Sequence, residues 1–277
     1  MNRGWLDELG VSALISLSPT DYAGINRTLR TVCAAALGLP PLPAEDAIPD
    51  GSAALTDFAE QFAVDVSAVT DAQRAALFET FGKGSGHVVA LTFIADFLPR
   101  VRSGLTALGV TAWPEPASWD RDSDPSVVLL GNFLTSIGSL SALDPVTSEI
   151  ARLRGAAQHQ CRLCKSLRET TALKAGGSES LYGDIADFEE STRLGDSHKA
   201  ALRYVDALIW TPADIPAEVA SGVSKHFSTE QAVELTFDVM RNGCNKIAVS
   251  LAADAARVSE GTELYELMPD GRVSLPR

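Results

Sequence analysis

Residues 149–168 read EIARLRGAAQHQCRLCKSLR, and this stretch decides how the second half of the chain folds. From Ile150 to Cys164, apolar residues recur at i, i+3, i+7, i+11 and i+14, the spacing of one buried stripe on a continuous helix. A turn inside the stretch would instead start a new helix at Cys161. The two alternatives place Glu149 at very different distances from the cysteines, so they lead to different functions.

Cys161 and Cys164 form a CxxC pair, for which three interpretations are open. A zinc site would need two more ligands at compatible spacing, and the sequence has no second CxxC, CxxH or HxxxH. As core residues, the cysteines would act as small buried hydrophobes. As a redox pair, residues three apart on a helix have Cα atoms about 5 to 6 Å apart, within disulfide range.

Positive charge is concentrated around the two cysteines in a chain whose net charge is −13. A solvated helix face would explain such a cluster without any chemistry. Adjacent cations also stabilise the thiolate, which is the reactive form of cysteine. The cluster consists of Arg152, Arg154, Arg162, Lys165 and Arg168.

Glu149 is a candidate general base only if the chain turns before Cys161. In one straight helix, a rise of about 1.5 Å per residue would put Glu149 roughly 20 Å from Cys164, far outside hydrogen-bond reach. Residues 155–160, GAAQHQ, contain one glycine and three polar residues that could accommodate a turn. A helix beginning at Cys161 would then lower the thiol pKa through its N-terminal dipole.

The composition of the 277-residue chain is that of a globular protein, with 45% hydrophobic and 21% charged residues. The negative net charge and the lack of any lysine/arginine run argue against nucleic acids and anionic membranes as partners. No apolar run is long enough to span a bilayer, and the N-terminus does not resemble a secretory signal, so we expect a cytoplasmic protein. No dinucleotide-binding or haem-attachment motif occurs, so no cofactor is expected.

Apolar residues recur at helical spacing along most of the chain, and strand-like alternation is nearly absent. The sequence therefore predicts an all-α fold. Helix starts are predicted at Thr70, Asp144 and Ser228, because each offers an oxygen that can cap the first backbone N–H groups. Pro145, directly after Asp144, suits the first helical position.

A Pro- and Asp-rich segment, residues 113–125, divides the chain into predicted units at 1–112 and 126–277. Residues 70–96 align with residues 228–254 in cap, helix, glycine-containing break, second helix and final aspartate. Two tandem degenerate units would explain this recurrence, and shared helical periodicity alone is the alternative. The first unit has no CxxC, so we expect it to serve packing or assembly.

Glu149, the eleven residues after it and Cys161-x-x-Cys164 resemble the carboxymuconolactone decarboxylase-like superfamily, specifically its alkylhydroperoxidase D-like branch. The preceding AAQ and the downstream segment ELTFDVMRNGCNKIAVSLAAD, residues 234–254, extend the resemblance over residues 126–260. The resemblance implies an all-helical, oligomeric protein active in thiol-dependent peroxide reduction. It also implies that the CxxC begins a helix separate from that of the glutamate.

By this resemblance, Cys164 attacks the peroxide, Cys161 resolves the product and Glu149 removes the thiol proton through water. The family pattern often has a histidine four residues after the second cysteine, where this chain has Arg168. Arginine cannot relay a proton near pH 7, but its charge can lower a thiol pKa. Either Arg168 acts only electrostatically, or His159 takes the place of the missing histidine.

Three further side chains have structural rather than catalytic interpretations. Cys33 is expected to be a buried small residue, and Lys246 to face solvent. Asn245 could face the site from the second helix pair.

The function expected from the sequence is that of a CxxC peroxidase, a homo-oligomer that acts on a peroxide or another small molecule. Its electrons would come from a donor protein by thiol–disulfide exchange. One alternative is a non-redox enzyme of the decarboxylase branch, with Glu149 as acid/base. The other is a redox-sensing or structural oligomer without turnover.

Overall fold

Helices follow one another along the first half of the chain, in a computed structural model that describes residues 4–275. Short 3₁₀ turns at Thr20–Tyr22, Val66–Ala68 and Gly82–Gly84 connect some of them. The helices of this half are α1 (Gly4–Glu8), α2 (Val11–Ser16), α3 (Ala23–Leu37), α4 (Ala53–Val64), α5 (Asp71–Phe81) and α6 (Ser85–Ala107).

The second half is also helical and begins with a π-helical segment at Val127–Phe133. A 3₁₀ turn at Phe188–Glu190 precedes the longer helices. The helices are α7 (Leu134–Gly138), α8 (Pro145–Gln158), α9 (Arg162–Lys165), α10 (Thr170–Lys174), α11 (Glu179–Gly183), α12 (Asp196–Trp210), α13 (Ala217–His226), α14 (Thr229–Gly243) and α15 (Asn245–Ser250). The predicted all-α fold is confirmed.

A small sheet joins the segment after α9 to the C-terminal part of the chain. Its strands are β1 (Leu167–Glu169), β2 (Glu263–Leu267) and β3 (Val273–Ser274). β1 runs parallel to β2, and β2 runs antiparallel to β3. The turn between β2 and β3 packs tightly on α7, because a Cβ atom on Gly271 would lie 1.9 Å from the Thr135 carbonyl oxygen.

The predicted helix starts are all confirmed by capping hydrogen bonds. Thr70 and Ser228 form capping boxes with the glutamines three residues later, at the starts of α5 and α14. The Asp144 side chain accepts a hydrogen bond from the backbone N–H of Thr147, with Pro145 at the first position of α8. These caps satisfy N–H groups that a helix start otherwise leaves without partners.

The main hydrophobic core contains buried side chains from both halves of the chain, including Cys33, whose predicted burial is confirmed. Helix α6 packs against α3 and α14, and α8 packs against α12 and α14. Residues 113–124 form no helix, and Asp120 exchanges backbone hydrogen bonds with Ser16 and Ser18. The division into two units, and their origin by duplication, stay predictions.

A buried ion network connects α6 with α15 at the centre of the fold. Asp96 accepts a hydrogen bond of 2.8 Å from Arg100 Nε and one of 2.5 Å from Lys246 Nζ. The prediction that Lys246 faces solvent is wrong, since the residue is only 2% exposed. Burial lowers the pKa of Lys246 to about 8, against the attraction of the Asp96 carboxylate.

Replacing Asp96 with alanine should lower the free energy of unfolding by about 3 to 5 kcal/mol, because two buried cations lose their counter-ion. Urea unfolding followed by circular dichroism measures this effect. Asp71, whose pair with Arg74 lies at the surface, provides the matched control, and Asp71→Ala should leave the midpoint nearly unchanged. A double variant, Asp96→Ala with Lys246→Met, should recover part of the loss. Equal losses of stability in Asp96→Ala and Asp71→Ala would contradict a stabilising role of the buried network.

Candidate functional site

The chain turns between Gln158 and Cys161, as the distance argument requires. Helix α8 ends at Gln158, and Gln160 takes a left-handed backbone conformation with φ of 56°. The Cys161 N–H then donates to the Ala156 carbonyl, which closes the turn. Cys161 becomes the N-cap of the short helix α9, so the single-helix interpretation is wrong.

Asp254, which follows the end of α15 at Ser250, fixes the start of α9. Its carboxylate accepts a hydrogen bond from the Arg162 backbone N–H at 2.9 Å and pairs with the Arg162 guanidinium at 2.7 Å. The Asp254 carbonyl accepts from the Leu163 N–H. A residue ninety positions later in the chain therefore caps the helix that carries the second cysteine.

The two cysteines are free thiols that differ in exposure and in acidity. Cys161 is completely buried, whereas Cys164 is partly exposed. The Cys161 sulfur accepts a hydrogen bond of 3.3 Å from the Cys164 backbone N–H. A hydrogen bond from the Cys161 thiol and the nearby Arg152 charge lower the pKa of Cys164, although burial opposes them. The pKa of Cys161 is raised, first by its Cys164 partner and then by burial.

Arg152 supplies the positive charge beside Cys164 and also connects three segments of the site. Its guanidinium pairs with both Glu149 carboxylate oxygens, at 2.6 and 2.7 Å. The same group donates to the backbone carbonyls of Cys164 and Leu167, at 2.8 and 2.7 Å. One side chain of α8 thus anchors the end of α9 and the start of β1.

Glu149 is 2% exposed and is held from several sides. Besides Arg152, its carboxylate accepts hydrogen bonds from the Glu169 backbone N–H at 3.1 Å and from the Tyr265 hydroxyl at 3.4 Å. The Tyr265 ring lies 5.3 Å from the Arg152 guanidinium carbon. The hydrogen-bonded connection from Glu149 to the Cys164 backbone therefore passes through Arg152.

Arg168 does not occupy the place that its sequence position predicts. Its guanidinium binds the Glu179 carboxylate at 2.8 and 3.0 Å and lies 5.6 Å from the centre of the Tyr182 ring. The charge of Arg152 lowers the Cys164 pKa. Thiolate stabilisation by Arg168 stays a prediction, and the structure places this side chain against α11.

His159 and Asn245 lie next to each other behind the cysteines. His159 Nδ1 and the Asn245 side-chain oxygen are 2.7 Å apart, and Asn245 is one of the groups that lower the pKa of Cys164. Burial, with the charges of Lys246 and Arg100, lowers the pKa of His159 to about 3. The imidazole is therefore neutral near pH 7, which opposes a relay step that requires the imidazolium ion.

Cys164 opens into a pocket with a volume of 590 Å³, here called the thiol pocket. A second pocket of 460 Å³, here called the acidic pocket, contains Glu149 and lies on the other side of a shared wall. The wall between them consists of Arg152, Arg241, Asn242 and Tyr265. Within residues 4–275, no group of three or more His, Cys, Asp or Glu side chains is arranged to hold a metal ion.

Several residues of the site were not found from the sequence. Arg152 was recognised only as one cation of the cluster, and its pair with Glu149 was missed although the two residues are three apart on one helix. Arg241 lines the thiol pocket from the last turn of α14, and Cys244 lines it from the residue after this helix. Tyr265 comes from β2, and no local pattern places that strand beside α8.

Comparison with known protein families gives no match, and no solved structure matches either. The chain is 53% identical over 270 residues to Uncharacterized protein Rv2313c and to Uncharacterized protein MT2376, from two strains of Mycobacterium tuberculosis. Each alignment covers 94% of both chains. Uncharacterized protein YnjA of Escherichia coli is 27% identical over 96 residues, which are 35% of this chain and 53% of that one. The chain belongs to the same family as the two mycobacterial proteins.

The rate of Cys164 alkylation by iodoacetamide should reach half its maximum at a pH below the roughly 8.5 of free cysteine. Arg152→Gln should raise this midpoint by about one pH unit or more, because the thiolate loses a positive charge that lowers its pKa. Arg152→Lys should keep most of the effect, since the charge remains. Peptide mapping by mass spectrometry identifies the alkylated residue.

Arg168→Gln is the matched control, since it removes an arginine of the same cluster that pairs with Glu179. It should leave the Cys164 midpoint unchanged. A larger change in Arg168→Gln than in Arg152→Gln would contradict the assignment of the charge to Arg152.

Proposed function

We propose that the chain is a thiol-dependent peroxidase of the alkylhydroperoxidase D-like branch of the carboxymuconolactone decarboxylase-like superfamily. The observation that carries the proposal is the arrangement of the two thiols. Cys164 has a lowered pKa and opens into the thiol pocket, and Cys161 lies buried next to Cys164. A low-pKa, accessible thiol next to a second thiol is what peroxide reduction through a disulfide requires.

In the first step, the Cys164 thiolate attacks the terminal oxygen of a hydroperoxide, and the O–O bond breaks. The sulfur becomes a sulfenic acid, and the alcohol leaves with the proton that the thiol gave up. In the second step, the Cys161 sulfur attacks the Cys164 sulfur, a disulfide forms, and the sulfenic oxygen leaves as water after taking the Cys161 proton. The two steps reduce one peroxide by two electrons.

The two thiols are suited to act in this order. The thiolate at Cys164 is the first cause of the raised Cys161 pKa, through a hydrogen bond and through charge. Once Cys164 is a neutral sulfenic acid, that charge is gone and the pKa of Cys161 falls. Cys161 is thereby a poor nucleophile before peroxide reacts and a better one afterwards.

Glu149 acts in this mechanism mainly by holding Arg152 against Cys164. Both of its oxygens bind the guanidinium, so Glu149 fixes the position of the charge that stabilises the thiolate. Proton removal by Glu149 through water, as the family resemblance implies, would have to pass Arg152. The neutral His159 contributes by orienting Asn245, one of the groups that lower the pKa of Cys164.

Electrons reach the disulfide from a donor protein with a dithiol. Cys164 is the accessible sulfur, so the donor thiolate attacks there, a mixed disulfide forms and Cys161 leaves as the thiol. A second donor thiol then releases Cys164. This chemistry suits a reducing, cytoplasmic environment. No helix within residues 4–275 is both long and apolar enough to cross a membrane.

Assembly into a homo-oligomer is part of the proposal. Two large apolar side chains that line the thiol pocket, Leu130 and Val273, are exposed to solvent. Contact between copies of the chain would remove this surface from water.

The wild-type protein should consume hydroperoxide continuously when a dithiol is present and stop after one equivalent when it is absent. Cys164→Ser should abolish turnover, because the attacking sulfur is gone. Cys161→Ser should react once and leave a sulfenic acid at position 164 that dimedone traps. Peroxide assays and mass spectrometry measure these outcomes.

Cys244→Ala is the matched control, since it removes another thiol of the same pocket, and turnover should persist. Oxidation without turnover in excess dithiol would favour a redox sensor. Full activity of Cys164→Ser toward a substrate would point to the non-redox alternative.

A further inference from the structure

The charged residues that line the thiol pocket are all cations. They are Arg152, Arg241 and Arg272, and the lining contains no aspartate or glutamate within residues 4–275. This is unusual for a chain of net charge −13. A positive site beside a reactive thiol favours an anionic ligand.

Two of these arginines already have carboxylate partners. Arg152 binds Glu149, and Arg272 pairs with Asp270 at the surface. The Arg241 guanidinium forms no hydrogen bond or ion pair within residues 4–275, although the backbone carbonyl of this residue accepts from the Cys244 N–H. Its charge is the one available to a ligand.

The Arg241 guanidinium lies in the wall between the two pockets, and no carboxylate within residues 4–275 forms an ion pair with it. Asp238, one turn earlier on α14, interacts with Arg241 electrostatically but hydrogen-bonds instead to the Ser148 hydroxyl at 2.9 Å. Burial raises the Asp238 pKa, against the attraction of Arg241 and the hydrogen bond from Ser148. Gly138 makes room for the arginine, since a Cβ atom there would lie 3.0 Å from Arg241 Nε.

The rest of the thiol pocket is largely apolar. A ligand that fits this lining therefore combines an apolar body with one anionic group. The pocket volume of 590 Å³ is in the range of small-molecule sites. The apolar lining residues are Leu130, Leu134, Leu163, Leu167, Ala248 and Val273.

We propose that Arg241 binds the carboxylate of an apolar acid, so that the preferred peroxide is a hydroperoxide of the fatty-acid type. A bidentate guanidinium–carboxylate pair fixes one end of the substrate in the wall. The apolar chain lies along the leucines, within the pocket into which Cys164 opens. The choice of a peroxide rests on the proposed function, whereas binding of the apolar carboxylate does not.

Protection of Cys164 from iodoacetamide tests this inference without any peroxide. Octanoate and 1-octanol have the same apolar chain and differ in the carboxylate. Octanoate should give half-protection of the wild-type protein at a concentration about tenfold lower than 1-octanol, because a hydrogen-bonded ion pair adds to apolar contact. The preference should disappear in Arg241→Gln and persist in Arg241→Lys.

Arg272→Gln is the matched control, since it removes a pocket arginine that already pairs with Asp270, and it should keep the preference for octanoate. Equal protection by octanoate and 1-octanol in the wild type, or a preference that survives Arg241→Gln, would overturn the inference.

Turnover provides a second readout. Arg241→Gln should raise the KM for linoleic acid hydroperoxide about tenfold more than it changes the KM for cumene hydroperoxide, which has no carboxylate. Octanoate protection without any peroxide turnover would refute the proposed function and leave the carboxylate site standing. Peroxide turnover without a preference for octanoate would refute the carboxylate site and leave the proposed function standing.

Discussion

The ion pair between Glu149 and Arg152 is the interaction on which the site depends. Arg152 reaches from the middle of α8 to the backbone carbonyls of Cys164 and Leu167, so it holds the chain that leaves the turn against the helix that precedes it. A guanidinium at this depth is tolerated only with a counter-ion, and Glu149 provides it with both oxygens. The same pair therefore stabilises the turn and sets the charge beside Cys164.

This arrangement assigns the acidity of Cys164 to electrostatics and local hydrogen bonds. The thiolate is favoured by the Cys161 thiol, by Arg152 and by Asn245, while burial works against it. A fixed cation acts at every stage of a catalytic cycle without changing its own protonation state, since arginine stays charged at all relevant pH values. Glu149 binds the Arg152 guanidinium with both carboxylate oxygens and thereby holds this cation in position.

Local features of the structure could be predicted from the sequence, whereas contacts between distant segments could not. The caps at Thr70, Asp144 and Ser228 depend on neighbouring residues and are confirmed. The residues alone left the turn before Cys161 open, and the turn that the family resemblance implies is present. The predicted exposure of Lys246 is wrong, because Asp96 on α6 binds this side chain in the core. Thiolate stabilisation by Arg168 stays a prediction, and its guanidinium binds Glu179. Tyr265 lies more than a hundred residues after Arg152, and only the parallel pairing of β1 and β2 brings it to the site.

The central claim is that Cys161 and Cys164 are one redox couple in which Cys164 reacts first. Intact mass and peptide mapping, before and after one equivalent of hydrogen peroxide, test it most directly. The account predicts a loss of two hydrogens that maps to a bond between Cys161 and Cys164, and no such bond in Cys164→Ser. Two thiols that stay reduced under these conditions, or a bond formed through Cys244 instead, would contradict it.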